Sequence, residues 1–163
     1  MTKINDKQKI PKNIFQTFKT KSLPPGMKKA QNSWKSLNPE YNYYFYDDND
    51  ISKYVSQFNC NGFSFSNNEL QKAFNKIKPG AGKADMFRYL IIYDNGGVYM
   101  DIDTTCKTPL RYWINSEDEM ISGIGGRGDL HQWGLVYKKH HPFMKRAIEN
   151  AVDNILQENF VKG

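Results

Sequence analysis

Two aspartates two residues apart, Asp101 and Asp103, end the segment VYMDIDTT, and an acid and a base three apart, Asp85 and Arg88, precede them. At period two, Tyr99, Asp101 and Asp103 leave one face of a strand, and Val98, Met100 and Ile102 the other. The two carboxylates are then roughly 7 Å apart at the backbone, for a rise of about 3.3 Å per residue. Like charges at that spacing repel and are best tolerated with a divalent ion or a positive partner between them. Oxygen ligands favour magnesium or manganese over zinc, particularly when phosphate oxygens complete the shell, so a nucleotide or another phosphorylated substrate is implied. A bare DxD is also what a solvated acidic strand end looks like. Asp48-Asn49-Asp50 is a second such triplet, and its setting after YNYYFYD reads as a turn and helix cap.

The elements that must position these groups follow from periodicity. From Ala84 to Tyr93 the apolar residues recur at helical spacing, with Asp85 and Arg88 on one flank. Asn95-Gly96-Gly97 stops that helix and turns the chain into the DxD strand. Upstream, Asn13 to Thr17 reads as a short strand entered through Pro11, and Met27 to Leu37 as a helix with Trp34 inward. Tyr41 to Tyr46 is a second parallel strand, and Ile51 to Phe58 and Asn68 to Ile77 are helical. Downstream, Glu119 to Ile124 and Gln132 to Tyr137 read as strands around the glycine-rich turn GIGGRGD, which leaves Arg127 and His131 without an assigned role. Pro142 to Phe160 is an amphipathic helix burying Phe143, Ala147, Ile148, Ala151, Ile155 and Leu156. This order predicts an α/β fold with a mostly parallel central sheet flanked by helices and ligands at the carboxyl ends of its strands, where Phe18 and Asp103 lie.

The run KADMFRYLIIYDNGGVYMDID resembles the DxD-containing sugar transferases of glycosyltransferase family 32, which includes fungal initiating mannosyltransferases, and more distantly the large glucosylating toxins. IPKNIFQTFKT and SWKSLNPEYNYYFYDD look like the family's first two strands, and the likeness extends to about Pro142. Lys83-Ala84 departs from the family's small-Ser pair. The resemblance implies a GT-A-like, Rossmann-like fold and retaining transfer from a UDP- or GDP-sugar to a glycan or protein acceptor, with Mn2+ or Mg2+ as cofactor. It makes Asp103 the direct metal ligand. Asp101 contacts ribose or sugar, or the metal through water. Asp85 and Arg88 hydrogen-bond sugar hydroxyls, while Gln16, Phe18 and Tyr99 belong to the donor pocket. Phe18 stands where the family usually has tryptophan and would stack on the base. His141-Pro142 matches the start of a family helix, and His140 or His141 could complete a metal shell, though an exposed histidine before a helix is the safer expectation.

The 163 residues suffice for a single transferase domain spanning 1–163, short on the acceptor side at its carboxyl end. A net charge of +6 suits a nucleotide diphosphate, but lysines spread through every segment also describe a solvated surface. No nucleic-acid motif is present. Cys60 and Cys106 lack metal-site spacing and read as free thiols. The first residues contain no apolar segment and no run approaches a membrane span, so a soluble, cytoplasmic chain is expected, or a lumenal one if an anchor is missing. VYMDIDTT also fits a haloacid-dehalogenase-type phosphatase, with Asp101 as nucleophile and Asp103 as acid and base. Against that stand the strands preceding the motif and the lack of a later acidic pair. A non-catalytic nucleotide-sugar-binding domain is the third alternative.

Overall fold

The computed structural model describes residues 8–78, 80–124 and 126–158. Strands β1 (Asn13–Thr17), β2 (Asn42–Tyr46), β3 (Gly97–Met100), β4 (Met120–Ile121) and β5 (Gly134–Tyr137) form one sheet in the order β2-β1-β3-β5-β4. β1 runs parallel to both β2 and β3, whereas β5 is antiparallel to β3 and to β4. The parallel half comes from the long helical crossovers. The antiparallel half is a hairpin around the glycine-rich turn, drawn together further by a bridge between Ile124 and Leu130. Gly125 of that turn lies outside the described residues.

Helices α1 (Pro25–Leu37), α2 (Asp48–Gln57), α3 (Asn67–Lys76), α4 (Ala81–Asn95) and α5 (Pro142–Leu156) cover the sheet. Phe15, Tyr99, Leu135 and Tyr137 pack on one face with buried residues of α2, α3, α4 and α5. Ile14, Val98, Met100 and Val136 pack on the other with Trp34 of α1 and Leu110 of a 3-10 turn. Local chemistry sets the boundaries. The second DxD is a helix start, as expected: Asp47 accepts from the Asp50 amide and Asp50 accepts from that of Asp47, a reciprocal cap. Ser66 and Glu69 cap α3 the same way.

α4 ends at Gly96, whose amide donates to Ile92 O at 2.8 Å. Gly97 then enters β3 at φ 122°, and a Cβ there would sit 2.6 Å from Asn13 O. The double glycine is therefore required twice, by backbone conformation and by the close passage of β1. In α5 the buried stripe is Met144, Ile148 and Val152, rotated from the expected one: Ala147, Ala151, Ile155 and Leu156 flank it, and Phe143 is 46% exposed. The ring of Phe143 lies parallel to that of Tyr137 at 6.2 Å instead of entering the core. Residues 159–163, the end of the expected helix, lie outside the described range.

Candidate functional site

β3 stops at Met100, one residue before the first aspartate, so the two carboxylates do not share a strand as the alternation suggested. The Asp101 amide still donates to Trp133 O at 2.9 Å, but its carbonyl accepts from both the amide (3.0 Å) and the hydroxyl (2.6 Å) of Thr104. A turn stabilised by Thr104 thus replaces the strand and carries Asp103 into solvent. α1 holds this turn from below. Trp34 Nε1 donates to Thr104 O at 3.0 Å, and Ser33 Oγ accepts from the Cys106 amide at 2.9 Å.

Arg88 is the centre of the site. It is only 7% exposed, and its Nη2 lies 3.0 Å from Asp85 Oδ1 and 3.1 Å from Asp101 Oδ1. Nη1 donates to Gln132 O at 2.5 Å, and the guanidinium carbon lies 4.9 Å from the centre of the Tyr99 ring. One planar cation thus joins α4, β3 and the loop before β5. Of the two ways to reconcile the acidic pair, a divalent ion or a positive partner, Asp101 has the positive partner within the protein. Burial pushes the Asp101 carboxyl above its ordinary value; Arg88 opposes this, and the charges of Asp103 and Asp85 add to it. Burial likewise pushes Tyr99 up to about 12.

The expected site residues fall into two tiers. Asp85, Asp101 and Asp103 reach solvent at the carboxyl end of β3. Gln16 and Tyr99 lie beneath them, 0% and 1% exposed. Gln16 Nε2 donates to the carbonyls of Met100 and Asp101, and its oxygen accepts from the Tyr43 hydroxyl at 2.8 Å. Tyr99 shares a 2.8 Å hydrogen bond with Thr17. Phe18 is half-buried and lines a cavity of about 300 Å³ with Lys19, Asp48, Ile51 and the start of α4 at Gly80 and Ala81. Phe15, by contrast, is core.

His140 and His141 are at the wrong end of the sheet to complete a metal shell. Tyr137 pairs with Gly97, the first residue of β3, and the His140 amide donates to Tyr93 O at 2.8 Å, so both histidines flank the amino end of that strand. His141 Nδ1 caps α5 by accepting from the Phe143 amide. Among the described residues, no three His, Cys, Asp or Glu side chains converge to hold a metal, and Cys60 and Cys106 are buried free thiols. No described helix is long and apolar enough to cross a membrane. Sequence reasoning missed the backbone carbonyls of Gln132 and Trp133, which carry no side-chain signal, and Thr17, whose role depends on strand register.

Residues 24–120 match the family described as "Glycosyltransferase sugar-binding region containing DXD motif". The chain is 29% identical over 175 residues to an initiation-specific alpha-1,6-mannosyltransferase of Candida albicans, covering 91% of this chain and 44% of that protein. It is 30% identical over 151 residues to inositol phosphoceramide mannosyltransferase 2 of Schizosaccharomyces pombe, covering 89% of this chain and 39% of that protein. It therefore spans less than half the length of these two relatives. The solved PaToxG glycosyltransferase shares the fold, with a TM-score of 0.68 at 22% identity over 91% of this chain and 62% of that one. The motif match sets aside the phosphatase alternative, and the chain belongs to the family of glycosyltransferase sugar-binding regions containing a DXD motif.

Proposed function

We propose that this chain binds a nucleotide-diphosphate sugar at the carboxyl ends of β1 and β3 and transfers the sugar, with retention, to a hydroxyl of a glycan or protein acceptor. The observation that carries this is the position of Arg88, buried at the strand end and holding two carboxylates, Asp85 and Asp101, by single ion pairs that leave their other oxygens without a partner among the described residues. Fixed carboxylate oxygens beside a guanidinium can read vicinal sugar hydroxyls from both the acceptor and the donor side. The Phe18 cavity takes the base, with the ring offering a flat stacking face.

The residues fit a divalent cation of a particular kind. Asp103 is exposed, and no hydrogen bond or ion pair engages it among the described residues, whereas one oxygen of Asp101 is committed to Arg88. One free carboxylate, with the second oxygen of Asp101 beside it, suits Mn2+ or Mg2+ drawing its remaining ligands from the diphosphate and water. A cation bound there would supply charge neutralisation for the departing diphosphate. Asp103 would hold it, Asp101, fixed by Arg88, would contact ribose or sugar, and Gln16 fixes the backbone from which both aspartates project.

Hydrolysis needs no acceptor and so gives an acceptor-independent test. Incubation with UDP-glucose, UDP-N-acetylglucosamine or GDP-mannose and manganese, followed by NMR at the anomeric proton, is expected to show slow release of the α-sugar from one donor. Release of the β-anomer, or no release with a generic phosphate ester hydrolysed instead, would contradict it. Donor binding without any turnover would identify a binding domain.

A further inference from the structure

A second cavity of about 260 Å³ is lined by Tyr89, Leu135, Tyr137 and Phe143 together with Asp129 and His131. We infer that it is an acceptor subsite that receives a pyranose ring, an assignment that rests on the transferase function proposed for the neighbouring carboxylates.

Three observations carry the inference. The first is position. The cavity wall includes Gln132, whose carbonyl accepts from Arg88 Nη1, and Tyr89 follows Arg88 on α4 one turn after Asp85. Burial pushes the Tyr89 phenol up, Asp85 adds to the rise and Arg88 opposes it. One end of the cavity therefore abuts the loop that closes on Arg88. The second is available polarity. Tyr89, which is half-buried, and Tyr137 both line the cavity, and neither hydroxyl has a hydrogen-bond partner among the described residues. Both phenols are therefore open to the hydroxyls of a ligand. The third is shape and chemistry. Phe143, stacked parallel on Tyr137, presents a flat apolar face at the mouth, while Asp129, His131 and Gln132 offer acceptors and donors around the rim. Sugar rings combine an apolar C–H face with a belt of hydroxyls, which matches a mostly apolar pocket with a few convergent polar groups. An alkyl chain would leave both phenols and the rim unpaired.

The test is saturation-transfer NMR on the whole chain with methyl α-mannopyranoside, methyl α-glucopyranoside and methyl α-galactopyranoside, with octanol as the apolar control. UDP and GDP with manganese are titrated in parallel on each variant. We expect one glycoside to receive saturation, with affinity weakened about tenfold in Phe143→Ala and severalfold in Tyr89→Phe, and nucleotide affinity unchanged in both. Phe143 is exposed and Tyr89→Phe removes a single oxygen, so both variants should fold, and unchanged circular dichroism checks this. Nucleotide binding with no saturation of any glycoside would overturn the subsite, as would octanol binding in their place or a glycoside signal indifferent to both substitutions. Glycoside binding that responds to the variants, with no nucleotide bound, would uphold the sugar site and refute the donor assignment instead.

Discussion

The guanidinium of Arg88 and the carboxylate of Asp101 meet at 3.1 Å where α4 passes the end of β3, and the loop before β5 closes on the same guanidinium through Gln132 O. Position of the first motif aspartate is thus set by a residue thirteen places earlier in the chain. In the proposed function, structural integrity and substrate contact share this one side chain.

Removing that side chain should therefore damage both. Arg88→Ala leaves Asp101 without its partner and empties a buried volume, so a loss of about 3 kcal/mol or more is expected in urea unfolding, together with loss of donor affinity. Arg88→Lys should recover part of the stability and little of the affinity, because an ammonium cannot hold Asp85, Asp101 and the Gln132 carbonyl in one plane. Wild-type donor affinity in Arg88→Lys would show that charge alone suffices.

The close approach of β3 to its sheet neighbour β1 predicts a purely structural lesion. In Gly97→Ala the new methyl carbon would meet Asn13 O at 2.6 Å, in a backbone conformation that disfavours side chains. A destabilisation of more than about 2 kcal/mol is expected by chemical denaturation. Gly126→Ala, with nothing within 4 Å of its Cβ position, serves as the tolerant control. Equal stability of the two variants would contradict the close approach.

Acid should uncouple function from fold. Burial raises the Asp101 pKa, whereas Asp50, Glu69 and Glu119 are lowered, by hydrogen bonds to Lys21, to Ser66 and to Lys138 respectively. A carboxyl whose folded pKa exceeds its unfolded one binds its proton more tightly in the native state, so protonating Asp101 does not itself favour unfolding. Groups with depressed values add stability that persists above their unfolded pKa and fades as pH falls through the lower folded one. Donor binding, followed by fluorescence across an acid titration, is therefore expected to fail at higher pH than the unfolding transition seen by circular dichroism. Coincident transitions would rule this ordering out.

How far the sequence discloses the site depends on the kind of group. The α4 helix, its double-glycine stop and the acidic pair were legible because periodicity and glycine leave direct marks, as were the caps at Asp47 and the parallel pairing of β1 with β2. Asp85 and Arg88 were legible as neighbours on a helix. That the arginine is buried under the motif was not, since burial is decided by β5 and its loop. The early end of β3 reflects a competing turn at Thr104, a local hydrogen bond that alternation does not register. His140 and His141 looked available for metal only while the direction of β5 was unknown; antiparallel pairing carries them to the opposite end. Phe143 fits a helical stripe by spacing, yet pairs with Tyr137 outside the core.

Asp103 is proposed to hold a cation only together with a nucleotide diphosphate. Calorimetric titration of UDP-glucose, UDP-N-acetylglucosamine and GDP-mannose into the wild-type chain and Asp103→Asn, each with manganese and again with a chelator, tests it most directly. One donor should bind the wild type with manganese and lose at least about tenfold in affinity with the chelator or in Asp103→Asn, while manganese alone binds weakly and the variant's thermal midpoint is unchanged or raised. Donor binding indifferent to both chelator and substitution would contradict it, as would the absence of binding to every donor.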